Sequence, residues 1–235
     1  MKITSNYSQN HSKKERLKKD IKFVIIHYTG MQSEIESIKR LKDPQYKVSC
    51  HYLISRKGKI IQMVREKNIA WHAGKSKWKK FKNLNYYSIG IELVNKGHRF
   101  GYQNFSHQQI SSLITLCKKL KKKYLIKKEN FLGHSDIAPL RKADPGEKFP
   151  WKKLSKSKIG KWYAKFNNKI EVNPKKMEAL FFKNLQKFGF RYFTTNKKKF
   201  NDVMIVKAFQ RHYLPNYITG KIDQKTYKIS HFLIR

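Results

Sequence analysis

Short apolar runs in the first part of the chain predict the strands of a sheet. Phe23–Ile26 is a continuous apolar run, which is typical of a strand buried on both faces, and Ser88–Asn95 gives a second strand. His51–Ser55 and Ile60–Val64 flank a turn that contains Gly58, so we expect a β-hairpin between them.

Two longer segments carry apolar residues at helical spacing. Ser33 to Leu41 begins with Ser33 and Glu36 placed as a capping box, and Ser106 to Tyr124 has an apolar stripe opposite a charged face. Because strands, a hairpin and helices follow one another along residues 21–155, we predict an α/β domain with a mixed central sheet flanked by helices. Residues 1–20 are polar and predict a disordered or loosely attached N-terminal arm.

The last part of the chain predicts a small all-α domain. Helical patterns run from Met177 to Phe188, from Phe200 to Tyr213 and from Asp223 to about Leu233, with Asp223 as a candidate N-cap. We therefore assign residues 174–235 to a three-helix domain and residues 156–173 to a partly amphipathic connector. The alternative is a helical extension that only buttresses the first domain.

The charge of the chain points to a polyanionic partner without identifying it. There are 54 Lys and Arg residues against 15 Asp and Glu, which gives a net charge of +39. Only nine of the basic residues are arginine, the residue that reads phosphates and bases bidentately, so we expect no specific nucleic-acid recognition. Abundant lysine also suits an AT-rich genome, and we weight that explanation equally with a functional charge.

Cysteine usage and hydropathy say little about the compartment. Cys50 and Cys117 form no framework of paired spacings, so disulfides are not expected to hold the fold. The first twenty residues contain no apolar run of the length that a signal peptide needs, and we see no transmembrane segment. These features favour the cytoplasm.

The stretch from Gly133 to Gly146 concentrates candidate chemistry in one loop. Its prolines and glycines disfavour a helix or an uninterrupted strand, and it carries His134, Lys142 and Asp144. Neutral imidazole and carboxylate are ligands that suit zinc, provided that the loop folds back. Taken alone, a loop His and Asp are more often surface groups.

Four further residues are candidates on other segments. His27 stands at the C-terminal end of the first buried strand, where chemistry gathers in open sheets, although a lone buried His is more often a core residue. Glu92 lies among apolar neighbours, which favours either a proton acceptor near a metal or a buried ion pair. Trp71 and His72 offer an aromatic face and an imidazole beside small residues, and core or surface roles are equally open for them.

Together these segments resemble the type-2 N-acetylmuramoyl-L-alanine amidases, the zinc amidase fold shared with peptidoglycan recognition proteins. The likeness covers roughly residues 20–155 and is greatest to the anhydromuropeptide amidases. Five motifs in the same order make it specific: His27-Tyr28-Thr29, His51-Tyr52, Ala70-Trp71-His72-Ala73-Gly74, Ser88-Ile89-Gly90-Ile91-Glu92, and Gly133-His134-Ser135-Asp136 continuing to Phe149-Pro150-Trp151.

The resemblance implies a set of roles for individual residues. It puts the Zn²⁺ ligands at His27, His134 and Asp144, the general base at Glu92 and the residue facing the developing oxyanion at Lys142. It also implies that His51, Trp71 and His72 contact the substrate in the cleft.

The implied reaction is zinc-dependent hydrolysis of the amide between N-acetylmuramic acid, or its anhydro form, and L-alanine. The implied partners are peptidoglycan or anhydromuropeptides, with a monomeric enzyme. The alternative is a non-catalytic peptidoglycan-binding protein on the same fold.

The C-terminal part carries a second, shorter resemblance. Val206–Arg211 followed by Gly220–Thr226 resembles the peptidoglycan-binding three-helix module. Such a module has a use only where polymeric peptidoglycan is present, so the periplasm or cell envelope is the alternative to the cytoplasm.

Overall fold

The computed structural model describes residues 2–164, 172–193 and 198–235. The strands are β1 Ile3–Ser5, β2 His11–Glu15, β3 Phe23–Tyr28, β4 Tyr52–Ile54, β5 Ile60–Gln62, β6 Asn68–Ala70, β7 Lys77–Trp78, β8 Phe81–Lys82, β9 Ser88–Leu93 and β10 Phe131–Gly133. The helices are α1 Glu34–Lys42, α2 His107–Tyr124, α3 His134–Ile137, α4 Trp151–Lys156, α5 Pro174–Phe188, α6 Lys198–Tyr213 and α7 Gln224–Leu233.

A six-stranded mixed sheet organises the first part of the chain. Its strand order is β1-β5-β4-β9-β3-β10, and every neighbouring pair is parallel except the hairpin of β4 and β5. The predicted hairpin and the predicted mixed sheet are both confirmed. Because β9, β3 and β10 are parallel neighbours, their carboxyl ends meet at one edge of the sheet.

The two faces of the sheet are covered by different helices. Val24 and Ile26 of β3 pack with the apolar stripe of α2 on one face. On the other face, Phe23 and Ile25 pack with the C-terminal helices, whereas Leu53 of β4 packs with the end of α1. This second face therefore has two apolar clusters, and the continuation of β3 beyond Ile25 places His27 on it.

Side-chain caps fix the starts of the predicted helices. Ser33 accepts a hydrogen bond from the N–H of Glu36 at 3.1 Å, and Ser106 accepts from the N–H of Gln109 at 3.1 Å. The carboxylate of Asp223 accepts from the N–H of Thr226 at 2.7 Å, as its N-cap pattern predicts. Helix α5 begins at Pro174, three residues earlier than its apolar pattern indicates, because proline is tolerated in a first turn.

The expectation of a loosely attached N-terminal arm is wrong. Strand β1 pairs with β5 and β2 pairs with β6. The arm therefore adds an edge strand to the main sheet and forms a separate two-stranded sheet with β6. Arg16 is only 5% exposed and donates to the carbonyls of Glu66, Asn85, Tyr86 and Ser88 at 2.6–3.1 Å. Composition did not reveal this, because backbone pairing and carbonyl acceptors leave no apolar pattern.

The three predicted C-terminal helices are present and pack against the first part of the chain. Trp78 is 1% exposed, and its ring centroid lies 5.7 Å from that of Phe188 and 5.0 Å from that of Phe190. Of the predicted connector, residues 165–171 lie outside the described residues, and the domain boundaries stay predictions. No helix in the described ranges has both the length and the apolar character needed to cross a bilayer.

Candidate metal centre and active site

Three buried side chains converge at the carboxyl edge of the sheet. Nδ1 of His27 lies 3.0 Å from Nδ1 of His134 and 2.9 Å from Oδ2 of Asp144, and the last two atoms are 3.1 Å apart. The three residues are 1%, 4% and 7% exposed. They form the group among the described residues whose His and carboxylate atoms lie close enough to hold one metal ion.

Backbone pairing explains why these distant residues meet. Gly133 of β10 is in register with Ile26 of β3, so the residue that follows each of them is a neighbouring histidine. The N–H of Ser135 donates to the carbonyl of Asp144 at 2.9 Å, which folds the loop back. The expectation that this stretch contains no helix is corrected in one detail, because His134 starts the single turn α3.

Hydrogen bonds determine which nitrogen of His27 faces the metal position. The hydroxyl of Ser88 donates its one proton to the carbonyl of Leu84 at 2.6 Å, so its oxygen accepts from Nε2 of His72 at 3.2 Å. Nδ1 of His72 is then an acceptor for Nε2–H of His27, 3.0 Å away. The network therefore leaves the lone pair of His27 on Nδ1, toward the other two ligand atoms.

The second histidine is oriented in the same way. Nε2 of His134 lies 3.1 Å from the carbonyl of Ala73, so the tautomer with its proton on Nε2 donates there and directs the lone pair of Nδ1 toward the metal position. Two neutral imidazole nitrogens and one carboxylate oxygen, with their other ring nitrogens held by hydrogen bonds, are the donor set of a catalytic zinc site with an open position. The residues present thus fit zinc.

The electrostatics of His27 and Asp144 also favour a cation. Burial, and next the imidazole of His134, lower the pKa of His27 to about 4, so this ring is neutral near pH 7. Burial alone would raise the pKa of Asp144, but its contacts with His134 and His27 hold that pKa well below its usual range. Near pH 7 the site therefore offers the ionised carboxylate of Asp144 and the neutral ring of His27, and a cation can bind them without displacing a proton.

Glu92 lies beside the metal position with a free oxygen. It is the cross-strand neighbour of His27, is 9% exposed, and its Oε2 is buried without a hydrogen-bond partner among the described residues. Burial raises the pKa of Glu92 well above its usual range, the charge of Asp144 adds to this, and the charge of Lys142 opposes it. A carboxyl group held this way is suited to accept and return a proton.

A cleft of about 730 Å³ opens above these residues. His27, Glu92, His134, Lys142 and Asp144 line its floor. The other wall comes from α1 and the segment after it, and three of the nine arginines of the chain line the cleft: Arg40, Arg99 and Arg141. The arrangement can bind an acidic substrate and bring its reacting carbonyl to the metal position.

A family model described as N-acetylmuramoyl-L-alanine amidase matches residues 17–147, which contain all three candidate ligands and Glu92. The chain belongs to this family. The AmiD amidase of Escherichia coli K12 is 35% identical over 235 residues, covering 91% of this chain and 82% of that protein. Our chain is thus an N-acetylmuramoyl-L-alanine amidase.

Solved structures match this chain over nearly its whole length. AmiD of Escherichia coli in complex with anhydro-N-acetylmuramic acid-L-Ala-D-γ-Glu-L-Lys superposes with a TM-score of 0.80 at 32% identity, covering 96% of this chain and 92% of that one. AmpDh3 of Pseudomonas aeruginosa in complex with anhydromuramic pentapeptide gives 0.81 at 29% identity, covering 95% of both chains. The predicted fold class of the amidase is confirmed.

Of the three predicted substrate contacts of the amidase, only one lines the cleft. His72 lines the cleft, although it is only 6% exposed and packs beneath His27. His51 is fully buried, and its Nδ1 accepts from the N–H of Gly90 at 2.9 Å. The indole N–H of Trp71 donates to Ser12 of β2 at 3.2 Å, and neither Trp71 nor His51 is among the residues lining the cleft.

Sequence reasoning missed the arginines of the cleft. The guanidinium of Arg40 lies 3.6 Å from the centroid of the Tyr46 ring, which orients it from α1. The sequence did contain a signal for them, because arginine is scarce in this chain and a rare residue type is a candidate for a specific role. Arg40 was not singled out because its helix shows an ordinary amphipathic pattern.

Proposed function

We propose that the chain uses Zn²⁺ to hydrolyse the amide between N-acetylmuramic acid, or its anhydro form, and L-alanine in muropeptides. The observation that carries this proposal is the convergence of the two Nδ1 atoms and Oδ2 of Asp144 beside Glu92, whose Oε2 has no hydrogen-bond partner among the described residues. Amidase structures with bound anhydromuropeptides at about 30% identity support the substrate class.

In the proposed reaction each of these residues has a separate role. His27, His134 and Asp144 would hold the ion, and zinc bound there would supply Lewis acidity for the amide carbonyl and acidify a water. Glu92 accepts a proton from the attacking water and returns it to the nitrogen of L-alanine as that amine leaves. Lys142 presents its ammonium group to the oxygen on which negative charge develops.

The C-terminal helices make polymeric peptidoglycan a second substrate to consider. We propose that they contribute to binding of the wall polymer, on the basis of their resemblance to the peptidoglycan-binding module. The oligomeric state and the compartment stay predictions. A substrate comparison addresses the choice between soluble and polymeric substrates directly.

Mass spectrometry of the products tests the proposal. Purified zinc-loaded protein is incubated with soluble anhydromuropeptides and, separately, with intact peptidoglycan, beside Glu92→Gln and a chelator-treated sample. We expect peptides with a free N-terminal L-alanine from the zinc-loaded protein and about 10²–10⁴-fold fewer from Glu92→Gln. If the protein sediments with peptidoglycan but releases no peptide, the proposed hydrolysis is refuted and the alternative of a peptidoglycan-binding protein is supported.

A further inference from the structure

Helix α6 contacts the loop that carries two of the candidate zinc ligands. Nδ1 of His212 lies 2.8 Å from Oδ2 of Asp136, and these residues are only 4% and 1% exposed. Phe209 of α6 packs in the same apolar cluster as Ile137, which follows Asp136. The C-terminal helices therefore reach the stretch from Gly133 to Gly146 through a buried polar contact as well as an apolar one.

Asp136 shapes the turn on which His134 stands. Its Oδ2 also accepts a hydrogen bond from the N–H of Gly133 at 2.7 Å, at the start of the single turn α3 that begins with His134. Gly133 is closely packed, since a Cβ there would meet Cδ of Pro145 at 2.7 Å. Pro145 directly follows Asp144. The backbone that Asp136 holds therefore precedes one candidate ligand in the chain and packs against the neighbour of another.

The carboxylate of Asp136 depends on these two hydrogen bonds. Its Oδ1 is buried without a hydrogen-bond partner among the described residues, whereas Oδ2 accepts from both Gly133 and His212. A buried carboxylate left with one donor is poorly solvated, and it regains solvation by turning toward water. Removing the N–H of His212 therefore displaces the carboxylate that holds the N–H of Gly133.

Aromatic rings fix the position of the donor. The ring of His212 stacks on Trp151, with centroids 4.0 Å apart and planes at 11°, and on Tyr213, at 4.1 Å and 16°. Two rings cannot stack at these distances on one face, so the imidazole lies between them. Trp151 closes the fifth sequence motif, and this motif thus contacts a residue of α6. An imidazole held between two rings presents its N–H at one place.

We propose that His212 positions the zinc ligand His134 through Asp136. The inference deepens the proposed function and rests on it, because it takes zinc as the ion at the metal position. His212 belongs neither to the group of candidate ligands nor to the lining of the cleft, so its role is to position other residues. Helix α6 then contributes to the metal centre, whether or not the C-terminal helices also bind the wall polymer.

Two substitutions of His212 separate its hydrogen bond from its stacking. His212→Phe keeps a ring between Trp151 and Tyr213 but has no N–H for Asp136. His212→Asn gives up the stacking and keeps an N–H near the position of Nδ1. Zinc affinity should therefore follow the hydrogen bond, whereas the stability of the fold should decrease in both variants.

A buried polar contact between two other helices supplies the matched control. Nδ2 of Asn184 in α5 donates to Oγ of Ser230 in α7 at 3.1 Å, and these residues are 8% and 2% exposed. Asn184→Leu removes this hydrogen bond and keeps a side chain of similar size. Because the contact joins α5 to α7 and includes no residue of the stretch from Gly133 to Gly146, the control loses stability without changing that loop.

Competition with a fluorescent zinc chelator measures the zinc affinity of each variant, after urea unfolding has shown that it is folded. We expect His212→Phe to bind zinc about fivefold more weakly than wild type, and His212→Asn to stay within about twofold of wild type. Asn184→Leu should also stay within about twofold, although its unfolding midpoint decreases. Should His212→Phe fail to fold, His212→Leu takes its place with the same expected loss.

Three results would overturn the positioning role while leaving the proposed function intact. One is an unchanged zinc affinity in His212→Phe. Another is an equal loss in Asn184→Leu, which would show that any destabilisation of the C-terminal helices weakens zinc binding. The third is an equal loss in His212→Asn, which would assign the effect to the ring instead of the hydrogen bond. If wild-type protein binds no zinc, the proposed function itself fails and the positioning role falls with it.

Discussion

The hydrogen-bond chain behind His27 predicts that Ser88 controls metal affinity without touching the metal. Replacing Ser88 by alanine removes the acceptor that keeps the proton of His72 on Nε2, 3.2 Å away. His72 can then carry its proton on Nδ1, where it opposes the Nε2–H of His27 at 3.0 Å. The ligand nitrogen loses the partner that fixes its tautomer and ring orientation.

The size of the effect follows from the hydrogen bonds involved. A neutral hydrogen bond contributes about 1 kcal/mol net, so Ser88→Ala should weaken zinc binding by about fivefold. His72→Phe keeps a buried ring but leaves the Nε2–H of His27 without any acceptor, and such changes around metal ligands cost about 10–100-fold in affinity. The order of the two effects is itself part of the prediction.

Competition with a fluorescent zinc chelator measures these affinities directly. Ser76 supplies a matched control, because it is also a buried serine whose hydroxyl bonds a backbone carbonyl, that of Gly74, at 2.9 Å. Ser76→Ala should lose similar stability in urea and keep wild-type zinc affinity. Equal zinc affinities of the Ser88 and Ser76 variants would show that the chain of hydrogen bonds does not act on the metal site.

Three other substitutions give separate tests. Lys142→Met should lower kcat about 10²–10³-fold with a smaller change in KM, because an ammonium that stabilises developing charge acts in the transition state; a rise in KM alone would assign it to binding instead. Glu66→Gln should lower the free energy of unfolding by about 1–3 kcal/mol at pH 7, since Glu66 accepts from two tyrosine hydroxyls and Lys123. Although burial opposes it, these partners lower the pKa of Glu66, so its contribution is complete above the usual value of 4.5 and decreases as the pH falls through the folded-state value. Urea unfolding at pH 7 and pH 3.5 should therefore show a smaller difference from wild type at the lower pH, and an equal difference would contradict the assignment. His212→Phe keeps a ring in place but removes the 2.8 Å hydrogen bond to the buried Asp136, and calorimetry should show a stability loss of about 1–3 kcal/mol; an unchanged melting temperature would argue against this contact between α6 and α3.

Sequence patterns predicted the parts of the molecule that repeat with the period of a strand or helix. The buried run of Phe23–Ile26 and the acid at Glu92 gave the strands and two of the groups that meet at the site. The loop from Gly133 to Gly146 offered His134 and Asp144 as candidate ligands, and the family resemblance assigned His27, His134 and Asp144 as one ligand set. Arg16 could not be predicted, because its partners are backbone carbonyls, which every residue type carries.

The predicted substrate contact of His51 stays a prediction, and sequence reasoning did not indicate the burial of this side chain. His51 belongs to a motif that lies next to the site in the order of strands, but its ring points into the interior and accepts from Gly90. The motif does not indicate how deeply this side chain is buried. Leu53 is in register with Glu92, so His51, two residues earlier, lies on the same side of the sheet, and its ring centroid lies 5.7 Å from that of His72.

Strand β9 explains why its motif has alternating small and polar residues. Ser88, Gly90 and Glu92 share one face, because side chains alternate along a strand. Ser88 fixes the tautomer of His72, and Oε2 of Glu92 is buried without a hydrogen-bond partner among the described residues. Gly90 leaves the room that the His72 ring occupies, since a Cβ there would meet that ring at 2.4 Å. The opposite face of the strand is apolar and packs on α2. One strand therefore carries the proposed proton acceptor and the support of a candidate metal ligand on the same surface, because side chains two residues apart along a strand lie on one face.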